Sequence, residues 1–269
     1  MISAEGRTPA DPADDAGVSP REEALWLLES LVPGTPVNNV SAAFAVAGRL
    51  DPLRLDAALA VVLRGHAALR TVYRADGTRL TKRVVAAADF RLELVQVVLA
   101  GEPGEADLAS VAAVPFRLDG GPMLRAVLLR SPESDVLCVT AHQLVFDEVS
   151  VPVFLADLAS AYENADAAAA DRNAAPAPVP GWTEPDPTPE SLAHWRAELA
   201  GASTGTMELA CTEPEPDRPT LAAAQLDRTL PPGTVAGVRR LAEDLGVPES
   251  AVLLAAYYVL LEASGAGPD

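Results

Sequence analysis

A mixed α and β fold is predicted by three features of the chain. Helical apolar stripes start behind recognisable caps at Ser19 and Asp51, two apolar runs of strand length meet at a turn near Ser131, and the two patterns interleave along the sequence. Of the 269 residues, 49% are hydrophobic, enough for a substantial core. Only 4% are aromatic, so Ala, Val and Leu rather than rings must fill it.

Residues 1–18, rich in Ala, Asp, Gly and Pro, are read as a disordered leader. Ser19 then caps a helix with Pro20 at its first position and Glu22 three residues on, while Leu25, Leu28 and Leu31 repeat at helical spacing. SAAFAVAGRL (41–50) alternates like a strand, and Asp51-Pro52 opens a second helix running to about Gly65. Asp76-Gly77 marks a hairpin within HAALRTVYRADGTRLTKRVV. An acidic loop near 101–107 precedes a short helix expected over Leu108 to Val114.

MLRAVLLR (123–130) and VLCVTAHQL (136–144) are apolar enough for central strands, joined by the turn Ser131-Pro132-Glu133-Ser134. VPVFLADLASAYENA (151–165) follows as a helix with Val153, Leu155, Leu158 and Tyr162 on one side. An Ala/Pro-rich linker over 166–189 separates this first lobe, 19–165, from a region over 190–269. That region holds a helix carrying His194 and Trp195, a strand expected over 221–230, and two helices divided by Gly246-Val247-Pro248. The stretch Ala251 to Leu261 is so apolar that burial on most faces is expected, by the rest of a longer protein or by a partner.

Charge and cysteine content exclude whole classes of function. A formal charge of −18 repels phosphate backbones and anionic lipid, so neither nucleic acid nor membrane is an expected partner. Cys138 and Cys211 lie in unrelated contexts without metal-ligand spacing, which predicts no metal site and no disulfide framework. The first residues lack the basic start and apolar run of a secretory signal, and a cytoplasmic protein is expected.

One segment carries a catalytic pattern: His142, Gln143 and Asp147 in TAHQLVFDEVS, directly after a predicted buried strand. A histidine leaving a strand at a cleft can accept a proton from an attacking amine or hydroxyl near neutral pH, although many strand-end histidines only satisfy local hydrogen bonds.

HQLVFDE (142–148) resembles the HHxxxDG signature of nonribosomal-peptide-synthetase condensation domains and their chloramphenicol-acetyltransferase-like relatives. SPREEALWLLESLVPGTPVNN resembles the opening segment of that family, GHAALRT its RHExLRT motif, and PFRLDGGPMLRAVLLR its PFDLxxGPLLRA segment. HWRAELAGA is similar to its YWxxxLxG stretch, and GVPESAVLLAAYYVLLEASGAGPD to the helix that begins its second lobe. The resemblance implies an α/β (α+β) chloramphenicol-acetyltransferase-like two-layer sandwich lobe with a mixed sheet and an incomplete second lobe. It also implies acyl transfer between carrier-protein-bound thioesters, with the phosphopantetheine carried by the partner and no cofactor of the chain's own.

Three departures bear on activity. The family's second histidine, credited with catalysis, matches Gln143, whose amide accepts no proton at neutral pH. The glycine of the signature matches Glu148, and the glutamate of RHExLRT matches Ala67. The family's later DFGWG motif does not occur in this sequence.

Among the retained residues, His142 matches the structural first histidine, and Asp147 matches an aspartate that shapes the site through an arginine. Arg70 of GHAALRT is the expected bidentate partner of Asp147, and His66 is expected to be a helix-end structural residue. His142 and Asp147 are separated by four residues, which breaks the HxxxD register of related acyltransferases. Three functions follow as alternatives. The first is a non-catalytic docking or recruitment module for carrier protein, other synthetase domains or a tailoring enzyme. The others are an acyltransferase in a longer parent protein and a structural spacer.

Overall fold

The structure is a computed structural model and describes residues 17–46, 48–164, 187–202 and 228–265. Residues 1–16 of the leader expected over 1–18, nearly all of the linker, most of the strand expected over 221–230, and Cys211 lie outside the described residues. The chain divides into two compact units, one up to Glu184 and one from Pro185.

In the first unit, α1 (Pro20–Leu31) opens with the capping box that the sequence predicts. Ser19 Oγ accepts the Glu22 N–H at 3.2 Å, and the Glu22 carboxylate accepts the Ser19 N–H at 2.6 Å. None of its residues is buried, and Leu31, part of the expected apolar stripe, is 75% exposed. Two carboxylates instead point inward from this helix. Glu22 accepts the Tyr73 hydroxyl at 2.6 Å and pairs with Lys82, and Glu29 lies seven residues further on. Burial pushes the Glu22 carboxyl up, but bonds from Lys82, Ser19 and Tyr73 outweigh it and hold the group below its ordinary range.

β1 (Asn39–Val46) leads to α2 (Pro52–Gly65), capped by Asp51, whose Oδ1 accepts the N–H groups of Leu53 and Arg54. A single 3₁₀ turn, Ala68–Arg70, enters the hairpin of β2 (Thr71–Ala75) and β3 (Leu80–Val84). Gly77 takes a φ of 93° at its tip, a region costly for a residue with a Cβ.

Next come β4 (Leu94–Val98) and α3 (Glu105–Ala112), the latter three residues earlier than the expected start at Leu108 because the acidic residues of the loop form its first turn. β4 (LVQVV), which the sequence reading does not pick out, is apolar in four of its five residues but lies at the edge of the sheet with four of the five exposed. β5 (Leu124–Arg130) and β6 (Asp135–His142) form the expected hairpin through Ser131, whose hydroxyl accepts the N–H groups of Glu133 and Ser134.

Four strands make one sheet in the order β1-β6-β5-β4, antiparallel except for the parallel pair β4/β5, so the sheet is mixed. α4 (Ser150–Glu163) packs beside α2 on one face. There Leu55, Ala58, Leu59 and Val62 meet Phe154, Leu158 and Ala161 over Leu124, Ala126, Leu137 and Val139. Each fully buried Leu, Val or Phe in this layer contributes about 2 kcal/mol. α3 packs against β1 and β6, and the register places its contacts on the opposite face. On α4 the inward stripe is Phe154, Leu158 and Ala161, while Val153 and Leu155 of the expected face are 51% and 38% exposed.

The second unit contains α5 (Pro189–Glu198), α6 (Pro232–Leu245) and α7 (Glu249–Ala263). α6 ends at Gly246 in the left-handed conformation (φ 65°), and the chain bends by 109° into α7. Tyr257, Tyr258 and Leu260 of α7 are more than half exposed in this unit, where burial is the expectation from sequence. Among the described residues no single helix is long and apolar enough to cross a bilayer.

Candidate functional site

β6 delivers the signature segment. His142 is its last residue, fully buried, and its main-chain N–H donates to Met123 O at 2.9 Å. Its ring is fixed from two sides: the Leu144 N–H donates to Nδ1 at 2.9 Å, and Nε2 lies 2.6 Å from Glu29 Oε1. Because Nδ1 is an acceptor, the ring proton is assigned to Nε2 and is donated to the Glu29 carboxylate. Asn38, 2% exposed, donates its amide to the same carboxylate and to Leu25 O, and Phe116 meets the imidazole edge-on at 6.0 Å. His142 therefore has no free ring lone pair to offer a substrate in this structure.

Gln143 follows in a tight turn, its N–H bonded to Asn38 O at 2.8 Å. Its side-chain amide has no hydrogen-bond partner among the described residues. Asp147 and Ser150 close the turn reciprocally. Asp147 Oδ1 accepts the Ser150 hydroxyl at 2.6 Å and its N–H at 2.8 Å, and the Asp147 N–H donates to Ser150 Oγ. The Ser150 bonds, with help from nearby Arg21, hold the Asp147 carboxyl below its ordinary value. Glu148 is exposed, so its bulk turns to solvent rather than into the site.

Arg70 does not meet Asp147, which corrects the pairing expected from sequence. Its guanidinium donates from Nε to Leu63 O at 2.9 Å and from Nη1 to Val85 O. It thereby satisfies the open carbonyls at the end of α2 and just past β3, while Asp147 is already satisfied by its own turn. His66 is the C-terminal cap of α2, as its helix-end reading requires, and its Nε2 also lies 2.7 Å from Asp157 Oδ2 on α4. Ala67 precedes the 3₁₀ turn.

A cavity of about 230 Å³ opens beside the signature loop. Its walls are Leu69, Val145, Phe146, Val153 and Phe154, and its polar edge is His66, Asp147 and Ser150. Sequence reasoning missed Glu29, Asn38, Ser150 and Asp157. The last two lie with Val153 and Phe154 at helical spacing along α4, a signal hidden by an apolar stripe one step out of phase. Among the described residues no cluster of three metal-ligating side chains occurs. Cys138 is buried in β6, where burial raises its thiol pKa, so it is unreactive.

Comparison with known proteins identifies the family and the fold. The condensation-domain family matches residues 13–269. Phosphinothricin tripeptide synthetase PhsC of Streptomyces viridochromogenes is 30% identical over 96% of this chain, which covers 26% of that protein. Chondramide synthase of Chondromyces crocatus is 29% identical over 94% of the chain, covering 7% of that protein. The chain thus spans about a quarter of the first and far less of the second. Among solved structures, the first condensation domain of the calcium-dependent antibiotic synthetase in complex with a substrate analogue superposes with a TM-score of 0.67 at 19% identity. That match covers 93% of this chain and 60% of the other. The starter condensation domain of the rhizomide synthetase gives 0.54 at 17% identity over 71% of this chain and 49% of the other. With the family matched over nearly its whole length and the fold shared, this chain belongs to the condensation-domain family of nonribosomal peptide synthetases.

Proposed function

We propose that this condensation domain holds carrier-protein-borne groups, or recruits a carrier protein or tailoring enzyme, without moving protons at its signature. One observation carries the reading. Both ring nitrogens of His142 are engaged, by Leu144 N–H and by Glu29, and the next position offers only the amide of Gln143. General-base catalysis needs an available basic lone pair within reach of the nucleophile: those of His142 are engaged, and the Gln143 amide oxygen is too weakly basic to take a proton.

The test is to incubate the chain with aminoacyl- and acyl-loaded carrier proteins, monitoring amide or ester product alongside capture of the carrier. Capture without product is the expected result. Turnover that vanishes on His142→Ala would replace this reading with the acyltransferase one, and absence of both capture and turnover would replace it with the structural spacer.

A further inference from the structure

Leu144 sits at the centre of the signature turn. Its N–H donates to His142 Nδ1 at 2.9 Å, and its carbonyl accepts the Tyr73 hydroxyl at 3.3 Å. The main-chain bonds around it belong to its neighbours: His142 N–H to Met123 O, Gln143 N–H to Asn38 O, and Val145 N–H to His142 O. The turn is thus closed through an imidazole lone pair, a bond that a proton removes.

An imidazolium carries an N–H on each nitrogen. Nε2–H already faces Glu29, so the added proton takes Nδ1 and meets the Leu144 N–H head-on, donor against donor. The closed turn therefore holds one proton fewer than an opened one, and falling pH shifts the balance towards opening. The strand end has no reason to move with it, because its bond to Met123 O is main-chain.

The groups around the ring decide where it goes. From α1, the Glu29 carboxylate gains an ion pair with the imidazolium whether the turn is closed or open, while Glu22 is occupied by Lys82 of β3 and Tyr73 of β2. From β5, Arg125 opposes the new charge, but its guanidinium is engaged by the Phe116 ring at 3.7 Å and by Val114 O. β1 and the residue before it present the amides of Asn39 and Asn38, and the end of α3 beside Asn39 is uncharged. Within the turn, Asp147 is held below its ordinary range by Ser150, with Arg21 nearby, and stays ionised through the range where histidines titrate.

We infer that His142 is a proton-driven clasp on the signature turn. Neutral, it closes the turn through Leu144; protonated, it stays paired with Glu29 and releases the segment that presents Gln143. The inference concerns the shape of the turn and stands or falls independently of carrier-protein capture.

The test is NMR on the full chain between about pH 7.5 and 5.5, a window that spans ordinary histidine titration. It follows the ring nitrogens of His142 together with exchange protection factors at Leu144, at Leu128 of β5 and along α1. Once Nδ1 takes up its proton, Leu144 protection should fall about tenfold per pH unit, the slope for one proton, while Leu128 and α1 stay protected. His142→Asn, whose Oδ1 accepts the Leu144 N–H but does not titrate, should make Leu144 protection independent of pH. Should that variant fail to fold, coincidence of Nδ1 protonation and Leu144 opening in the wild type decides the matter. Leu144 protection unchanged while Nδ1 protonates, an equal loss at Leu128 or α1, or a pH response that persists in a folded His142→Asn would each overturn the inference.

Discussion

The two ends of β6 are both buried and both polar, yet they are closed in opposite ways. At its start, Asp135 is fully buried and accepts from Leu50 N at 2.8 Å, from Arg49 at 2.8 Å and from Arg130 at 3.3 Å. At its end, His142 is equally buried but is held by Glu29, on a helix that buries none of its own residues. The first end is locked by cations and main chain belonging to strands and their loops. The second, which carries the signature, is fastened by a polar clamp on a surface helix. The site sits at the end of β6 whose histidine ring is held on one side from a surface helix, a placement that permits local opening without global unfolding.

The contrast between the ends is most easily broken at Asp135. Asp135→Ala strands Arg130 and the Leu50 N–H, and should cost about 3 kcal/mol in urea unfolding, reduced from a fully buried pair because Arg49 is half exposed. A loss under about 1 kcal/mol would show that the charge cluster is not what locks that end.

Acid provides a graded version of the same test. Burial pushes the Asp135 carboxyl up, but Leu50, Arg49 and Arg130 outweigh it and hold the group below the ordinary aspartate value of 3.8. A carboxyl depressed in the folded state contributes stability that is present above the unfolded value and is lost as pH falls through the folded one. Wild-type stability should therefore fall steeply below about pH 4. The Asp135→Ala variant, lacking that carboxyl, should fall less steeply, and parallel curves would refute the assignment.

The smallest effect belongs to the other end. Glu29→Gln keeps an acceptor for His142 Nε2–H and should cost only about 1 kcal/mol in global stability. It should nevertheless speed hydrogen exchange at Leu144 and neighbouring amides of the loop more than at β5. Equal acceleration across the sheet would erase the distinction between the two ends.

The difference between the ends also explains what is legible in the sequence. Caps, turns and central strands are local or strongly apolar, so Ser19, Asp51, the Asp76-Gly77 hairpin and the Ser131 turn are read directly and found in place. β4 is apolar in sequence yet exposed at four of its five residues, so apolarity alone does not place it in the sheet, and the α4 face is misjudged because Val153 and Leu155 are as apolar as the residues that do face inward. At the site, family resemblance picks out His142, Gln143 and Asp147. Their partners are set by tertiary geometry, however. Glu29 lies 113 residues from His142 and Asp157 lies 91 from His66, separations at which residue spacing carries no information. Arg70 is the case where a plausible charge pairing loses to main-chain carbonyls that needed a donor.

The pairing of Asn39 with His142 has a further consequence, in time rather than in space. β1 is the first strand of the sheet to be synthesised, but its partner β6 is completed about 100 residues later. At about 5–20 residues per second, β1 waits several seconds with an open edge. The β5–β6 hairpin closes locally as soon as it emerges. Joining β1 to it is then the long-range step that limits how fast the lobe folds, because closing so large a loop carries its entropy cost before the contacts repay it.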